Sequence, residues 1–257
     1  MTDPVPAIPE AEATGAVAAL FADIRAVTGV GVVNLIWRHL ATIPGGLEWA
    51  WGAVRPRYAD GALATGADRL RAALVMPDLG RLTLPDPAAG RILAAYDRTN
   101  GRALLALCAL LARLDGVGAT PVTSGTPRAE AALPLPPLPA LDGLAPEIAA
   151  LVLRLNHIGA GRPDPILASM YRHLAYWPEF LVSLEAPLNR VAIRPMIEAA
   201  LATARVEARV FAPALAAMPE LPAVSEPPVR AALNRFAEDA LARMVVICAA
   251  LRTATIP

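Results

Sequence analysis

The sequence predicts an all-α protein made of two tandem helical repeats that close on each other as a pseudo-dimer around a central cleft. Three observations predict this. First, Trp37-Arg38-His39-Leu40-Ala41-Thr42-Ile43-Pro44 returns 134 residues later as Tyr171-Arg172-His173-Leu174-Ala175-Tyr176-Trp177-Pro178. Second, the apolar residues around each copy recur at helical spacing. Val33, Ile36, Trp37 and Leu40 form one stripe, and Leu167, Met170, Tyr171 and Leu174 form its repeat. Third, alternating Val/Thr/Ile runs, the mark of a half-buried strand, are absent, and Ala and Leu dominate.

The elements follow in order. The start, Met1 to Glu12, is acidic and proline-bearing, and reads as a frayed lead-in. Ala16 to Ile24 reads as a helix broken by Gly29 and Gly31, and the stripe helix comes next. Pro44, Gly45 and Gly46 end it and open a helix carrying Leu47, Trp49, Trp51 and Val54. Ala62 to Val75 is a further helix, a proline loop spans Met76 to Gly90, and a long helix runs over Arg91 to Arg113. The first repeat is thus assigned to residues 10–116. Residues 117–140, with Pro121, Pro127, Pro134, Pro136, Pro137 and Pro139, form a stiff extended linker. The second repeat, 141–253, follows the same order. Asp164-Pro165 is expected to cap and open its stripe helix. A second proline loop holds Pro213, Pro219, Pro222, Pro227 and Pro228 before the final helix. In the closing helices Leu104, Leu107, Cys108 and Leu111 answer Met244, Ile247, Cys248 and Leu251, at an offset of 140.

Composition limits the function. The 257 residues are 56% hydrophobic, ample for a large buried core, and Lys+Arg and Asp+Glu both total 23. A neutral chain without basic, aromatic-studded clusters does not point to nucleic acid. No apolar run is long enough to span a bilayer and the start lacks a signal peptide's order, so a cytoplasmic location and no membrane association are expected. Cys108 and Cys248 sit at equivalent stripe positions and read as small packing residues rather than a disulfide.

Motif searches are mostly negative. His39, His157 and His173 fit no zinc spacing, and no metal or cofactor is expected. Gly29-Val30-Gly31 lacks the third glycine of a dinucleotide loop, and phosphate-loop and nucleophile-elbow patterns are missing. His39 and His173 are repeat equivalents, which favours a structural role near the turn. Asn100 breaks the symmetry: it continues an inward stripe, and its counterpart is Ala240. A buried amide must find partners, either a ligand or, at a helix start or kink by Gly101, the backbone. Arg38 and Arg172 are paired too. Exposure beside the stripe is one reading, and a clamp on a substrate carboxylate is the other.

Val33-Asn34-Leu35-Ile36-Trp37-Arg38-His39-Leu40-Ala41-Thr42-Ile43-Pro44, Leu47 to Trp51, Tyr96 to Leu110 around Asn100, and Ala168-Ser169-Met170-Tyr171 through Trp177-Pro178 together resemble the group I 2-haloacid dehalogenases, which process D and L substrates. The resemblance covers most of the chain outside the linker and loops. It implies an all-α pseudo-dimer, often dimerising again, so a homodimer is expected. It also implies cofactor-free hydrolysis of 2-halocarboxylic acids, in which an aspartate on the second repeat helix activates a water that attacks the halogen-bearing carbon. By this resemblance Asn100 takes the assisting role and Ser169 is the serine that precedes the aspartate. The aspartate's own position holds Met170, so no general base is identified. A thioether takes no proton from water, and losing a positioned base costs roughly 10²–10⁴ in rate. Val32 and Leu35 stand where pocket aromatics are expected. Val32, Leu35, Ser169 and Met170 are therefore the expected ligand-binding residues. The expectation is a dehalogenase-family chain without the family's base. The alternative is a small-molecule binder that takes a carboxylic or apolar ligand in an apolar cleft. A third reading is a scaffold acting through protein contacts, which exposed Trp49 and Trp51 would favour and buried ones, as mere core, would not.

Overall fold

A computed structural model describes residues 5–117, 133–215 and 221–255. Pro121, Pro127 and Pro219, assigned to the linker and the second proline loop, lie outside the described residues. The first half contains α1 (Gly15–Thr28), α2 (Leu35–Leu40), α3 (Gly46–Ala59), α4 (Ala62–Ala73) and α5 (Pro87–Leu114). The second contains α6 (Pro146–Asn156), α7 (Ser169–Leu174), α8 (Pro178–Ser183), α9 (Glu185–Asn189), α10 (Ile193–Phe211), α11 (Glu226–Arg235) and α12 (Ala242–Thr255). A π-turn, Phe236–Leu241, joins the last two. The architecture is all-α. Among the described residues the β-type pairing is a lone parallel bridge between Val30 and Leu133.

Local chemistry explains the boundaries. Gly29 ends α1 in the left-handed region (φ 67°), where its N–H bonds the Arg25 carbonyl. Asp86 caps α5, accepting from the Ala88 N–H at 2.6 Å, with Pro87 at the first helical position. The long helices pack through apolar stripes. α5 and α12 form the central pair, and α4 and α10 pack against it. Gly66 allows that approach: a Cβ there would lie 2.9 Å from the Phe211 carbonyl oxygen and overlap Leu105.

Several expectations are corrected. Asp164 does not cap the second stripe helix, which begins at Ser169. Its exposed carboxylate pairs with Arg162 and Arg235 instead. The lead-in is held extended by side chains. The Asp239 carboxylate accepts from the Ile166 N–H at 3.2 Å, and Asn156 Oδ1 accepts from the Ala168 N–H at 2.9 Å. Asn100 marks no helix start, being internal to α5. The chain's start is not frayed from Val5 onward: Val5 is buried, and Glu10 Oε1 accepts from the Val33 N–H at 2.9 Å. Trp49 and Trp51 are both buried, and Trp51 Nε1–H donates to Asp23 at 2.7 Å. Both are core, and the exposure that would favour a protein-contact scaffold is not seen. Cys108 and Cys248 are both free and buried.

The two halves follow the same order at the stripe helices. α2 and α7 are six residues each, and both bounds differ by 134. Each is also covered by an extended proline stretch. The Pro6 carbonyl meets His39, while the Pro136, Pro137 and Pro139 carbonyls meet His173, Tyr176 and Arg172.

Candidate functional site

Between α2, α5, α7 and the π-turn lies a cavity of about 910 Å³, within the range of roughly 300–1,000 Å³ common for small-molecule pockets. Its walls come from both halves. The extended residues before α2 and α7 supply Val32 and Ile166, and the helices themselves supply Leu35, Ser169 and Met170. α5 supplies Tyr96 and Asn100, and the last helix supplies Met244. The proline stretches roof it, through Val5, Pro6 and Pro9 on one side and Leu135, Pro136 and Leu138 on the other. The described part of the expected linker therefore forms wall.

All five residues singled out from the sequence, Val32, Leu35, Asn100, Ser169 and Met170, line this one cavity. Met170 is fully buried, and its sulfur accepts from the Cys248 thiol at 3.3 Å. That thiol in turn accepts from Asn100 Nδ2–H at 3.5 Å. The asymmetric amide is thus spent, at least on one side, in a sulfur chain crossing from α5 through α12 to α7. Burial pushes the Cys248 thiol well above its ordinary value, so it stays protonated and is a poor nucleophile.

A second polar chain runs beside it. His173 is fully buried, with Nδ1 2.6 Å from the Tyr96 hydroxyl and Nε2 3.0 Å from the Pro136 carbonyl. A carbonyl only accepts, so Nε2 carries the proton and donates to it, and Nδ1 accepts from the Tyr96 O–H. Burial, reinforced by the nearby Arg172 charge, outweighs the Pro136 hydrogen bond and lowers the His173 pKa to about 4. The ring is neutral at pH 7, consistent with this tautomer. Burial likewise raises the Tyr96 phenol far above its ordinary value. His39, the repeat counterpart, is only half-buried and stacks on Phe236 with centroids 5.7 Å apart. His157 is exposed.

Of the charged groups in the wall, Arg38 and Arg172 were open to two readings in the sequence, and Glu10 and Asp142 were missed. Arg38 and Arg172 are half-buried and both line the cavity, so exposure beside the stripe is not their setting. Short helices opening directly onto the cavity place the residue next to each stripe there. Glu10 and Asp142 also reach the wall. Both Glu10 oxygens are engaged, one by Arg25 at 2.6 Å and the other by the Val33 N–H. Asp142 is exposed on the turn after the proline stretch. The pairing of Pro4, Pro6 and Pro9 with Pro134, Pro136 and Pro139 at a constant offset of 130 was the available signal for this second pair of walls. Among the described residues no group of three or more His, Cys, Asp or Glu side chains is arranged to hold a metal ion.

A crystal structure of a D-2-haloacid dehalogenase mutant superposes on this chain with a TM-score of 0.80, covering 99% of this chain and 97% of that one at 16% identity. The chain has the dehalogenase fold. The complex of a D-2-haloacid dehalogenase mutant with D-2-CPA matches over the same shares at TM-score 0.79 and 16% identity. The complex of D-2-haloacid dehalogenase with L-LA matches over the same shares at 0.80 and 16%. No protein-family model matches the sequence, and no curated protein matches it significantly. At this identity the dehalogenase fold is a statement about helix arrangement, and the chemistry must come from the residues present. Among the described residues no helix is long and apolar enough to cross a membrane.

Proposed function

We propose that this chain is a member of the 2-haloacid dehalogenase family, built as a pseudo-dimer of residues 10–116 and 141–253, whose cavity binds a small carboxylic or apolar molecule without hydrolysing it. The dehalogenase fold over nearly the whole chain supports the membership. One observation carries the loss of hydrolysis. At the place where the family resemblance puts a water-activating aspartate, Met170 is fully buried with its sulfur against Cys248. A carboxylate there would accept a proton from water, and a thioether does not. Asn100 remains in the wall, but its amide bonds a thiol rather than a carboxylate or a water-holding group. The size of the cavity and the apolar Val32, Leu35 and Met170 support ligand binding.

The test is halide release from each enantiomer of 2-chloropropionate, with wild type and Met170→Asp side by side. Wild type should release no halide above buffer while still binding. A gain in Met170→Asp of at least roughly 10²-fold would show that the rest of the site is intact. Circular dichroism confirms that the variant is folded. Halide release by wild type would defeat this reading. It would favour the competing one, hydrolysis with Glu10 as the base, which rests on Glu10 lying in the cavity wall. Glu10→Gln would then abolish release.

A further inference from the structure

A second cavity, of about 480 Å³, opens on the second half between the end of α6, the turn that follows and one face of α10. Its turn is the counterpart of the one at Gly29, 130 residues earlier. In the first half that turn is covered, since the Gly29 carbonyl accepts from the Leu133 N–H at 2.9 Å. Gly159 has no such cover among the described residues. It sits at φ 70°, and a Cβ there would lie 3.1 Å from Ile197 and 3.3 Å from Leu201, so the turn is pressed onto the cleft's apolar floor. Three arginines line the walls, Arg154 from α6 and Arg194 and Arg205 from α10. Two of them are held along one edge. Arg154 donates from Nε and Nη2 to the Glu185 carboxylate at 2.7 and 3.3 Å, and Arg205 from the same two nitrogens to the Glu238 carbonyl at 2.9 and 2.7 Å. Each therefore keeps its Nη1 donors for something else. The Glu238 carboxylate is also shared between Arg205 and Arg209, so it answers neither in full. Arg194 meets no hydrogen-bond or ion-pair partner among the described residues, which leaves all five donors of its planar fork open. The one acid in the wall is Glu198, a turn beyond Arg194, and His157 stands exposed at the rim.

We propose that this cleft is a second ligand site, distinct from the central cavity, and that it takes a phosphate monoester. Three guanidinium groups in one concave wall suit a dianion that offers several acceptor oxygens, and they repel a cation. The head pairs with the Arg194 fork and with the spare donors of its neighbours, and the apolar part of the ester lies on Ile197 and Leu201. Glu185 and Glu238 hold Arg154 and Arg205 in place before a ligand arrives, which lowers the cost of ordering them. Glu198 opposes the bound charge and keeps the grip moderate.

Isothermal titration with phenyl phosphate, inorganic phosphate and phenol, at a constant ionic strength of about 0.15 M, tests this. Wild type should bind phenyl phosphate, bind inorganic phosphate more weakly, and ignore phenol. Arg194→Met should weaken phenyl phosphate by about tenfold or more, the expected worth of a hydrogen bond to a charged group. Arg194 has no partner to lose, so the unliganded variant should melt as wild type does. Glu198→Gln should tighten binding by about two- to fivefold. Arg38→Met, which alters the central cavity, should change nothing. No binding of phenyl phosphate by wild type overturns the proposal, and so does binding that Arg194→Met leaves intact. A loss in Arg38→Met in place of Arg194→Met puts the anion in the central cavity and overturns it as well. None of these results bears on whether the central cavity hydrolyses a haloacid.

Discussion

The stripe helices α2 and α7 have the same length and the same Arg-His-Leu-Ala sequence, yet their surroundings have diverged. In the first half, the extended lead-in is held by one acid, Glu10, from outside the helical core. In the second, it is held by a buried network from three elements. Arg243 on α12 donates to the Asn156 and Ile166 carbonyls and lies 3.6 Å from Asp239, while Asp239 and Asn156 each accept a backbone N–H of the lead-in. His39 touches one carbonyl near the surface, whereas His173 bridges Tyr96 and the linker inside the core. Duplicated sequence therefore does not imply duplicated function. The second copy carries the structural burden, and the first keeps a charged side chain, Arg38, turned to the cavity.

The largest effect should come from removing the second half's clamp. Arg243 is fully buried, and Arg243→Met leaves Asp239 without its charge partner. Breaking one side of a buried pair costs roughly 3–5 kcal/mol, read as a lower urea midpoint. Glu10→Gln, the matching change in the first half, should cost under about 1 kcal/mol, since its pair with Arg25 is partly exposed. Equal losses would erase the contrast between the halves.

Next come the histidines. His173→Ala should cost about 2–3 kcal/mol, by leaving the Tyr96 hydroxyl and the Pro136 carbonyl unmatched in the core. His39→Ala should cost well under that. His173 should also make stability depend on pH. The folded pKa of His173, about 4, lies below its ordinary 6.5. The unfolded chain therefore takes up the proton first as pH falls. The stability that neutral His173 contributes is complete above about pH 6.5 and is lost progressively towards pH 4. Denaturation midpoints at pH 7.5, 6 and 4.5 should show this loss in wild type and in His39→Ala, and less of it in His173→Ala.

The smallest effect has the opposite sign. Trp37 Nε1 and the Tyr171 hydroxyl occupy repeat-equivalent positions, are buried, and lack hydrogen-bond partners among the described residues. An orphaned buried polar atom destabilises, so Tyr171→Phe should be neutral or stabilising by up to about 1 kcal/mol. A loss above that in thermal melts would reveal a partner for the hydroxyl, such as a bound water.

The stripe helices, the matched cysteines and the singular Asn100 were legible in the sequence because each rests on spacing alone. The family resemblance drew attention to Val32, Leu35, Ser169 and Met170, which share one cavity wall with Asn100. Asp164 was misassigned because a capping motif is a local signal. Here Asp239 and Asn156, distant in sequence, hold the backbone extended past it, while the same motif does act as a cap at Asp86-Pro87. The π-turn had no pattern to announce it. The orientation of Arg38 and Arg172 was hidden for another reason: periodicity tells which face of a helix is apolar, not what volume opens beside a six-residue one.

The cavity wall draws on Val5 at one end of the chain and on Met244 near the other. A chain lacking either stretch loses part of the wall. Occupancy is therefore coupled to the whole fold by mass action, and a ligand at a hundred times its Kd would add about 2.7 kcal/mol to unfolding. The thermal melt thereby becomes a means of sorting candidate molecules before any reaction is known.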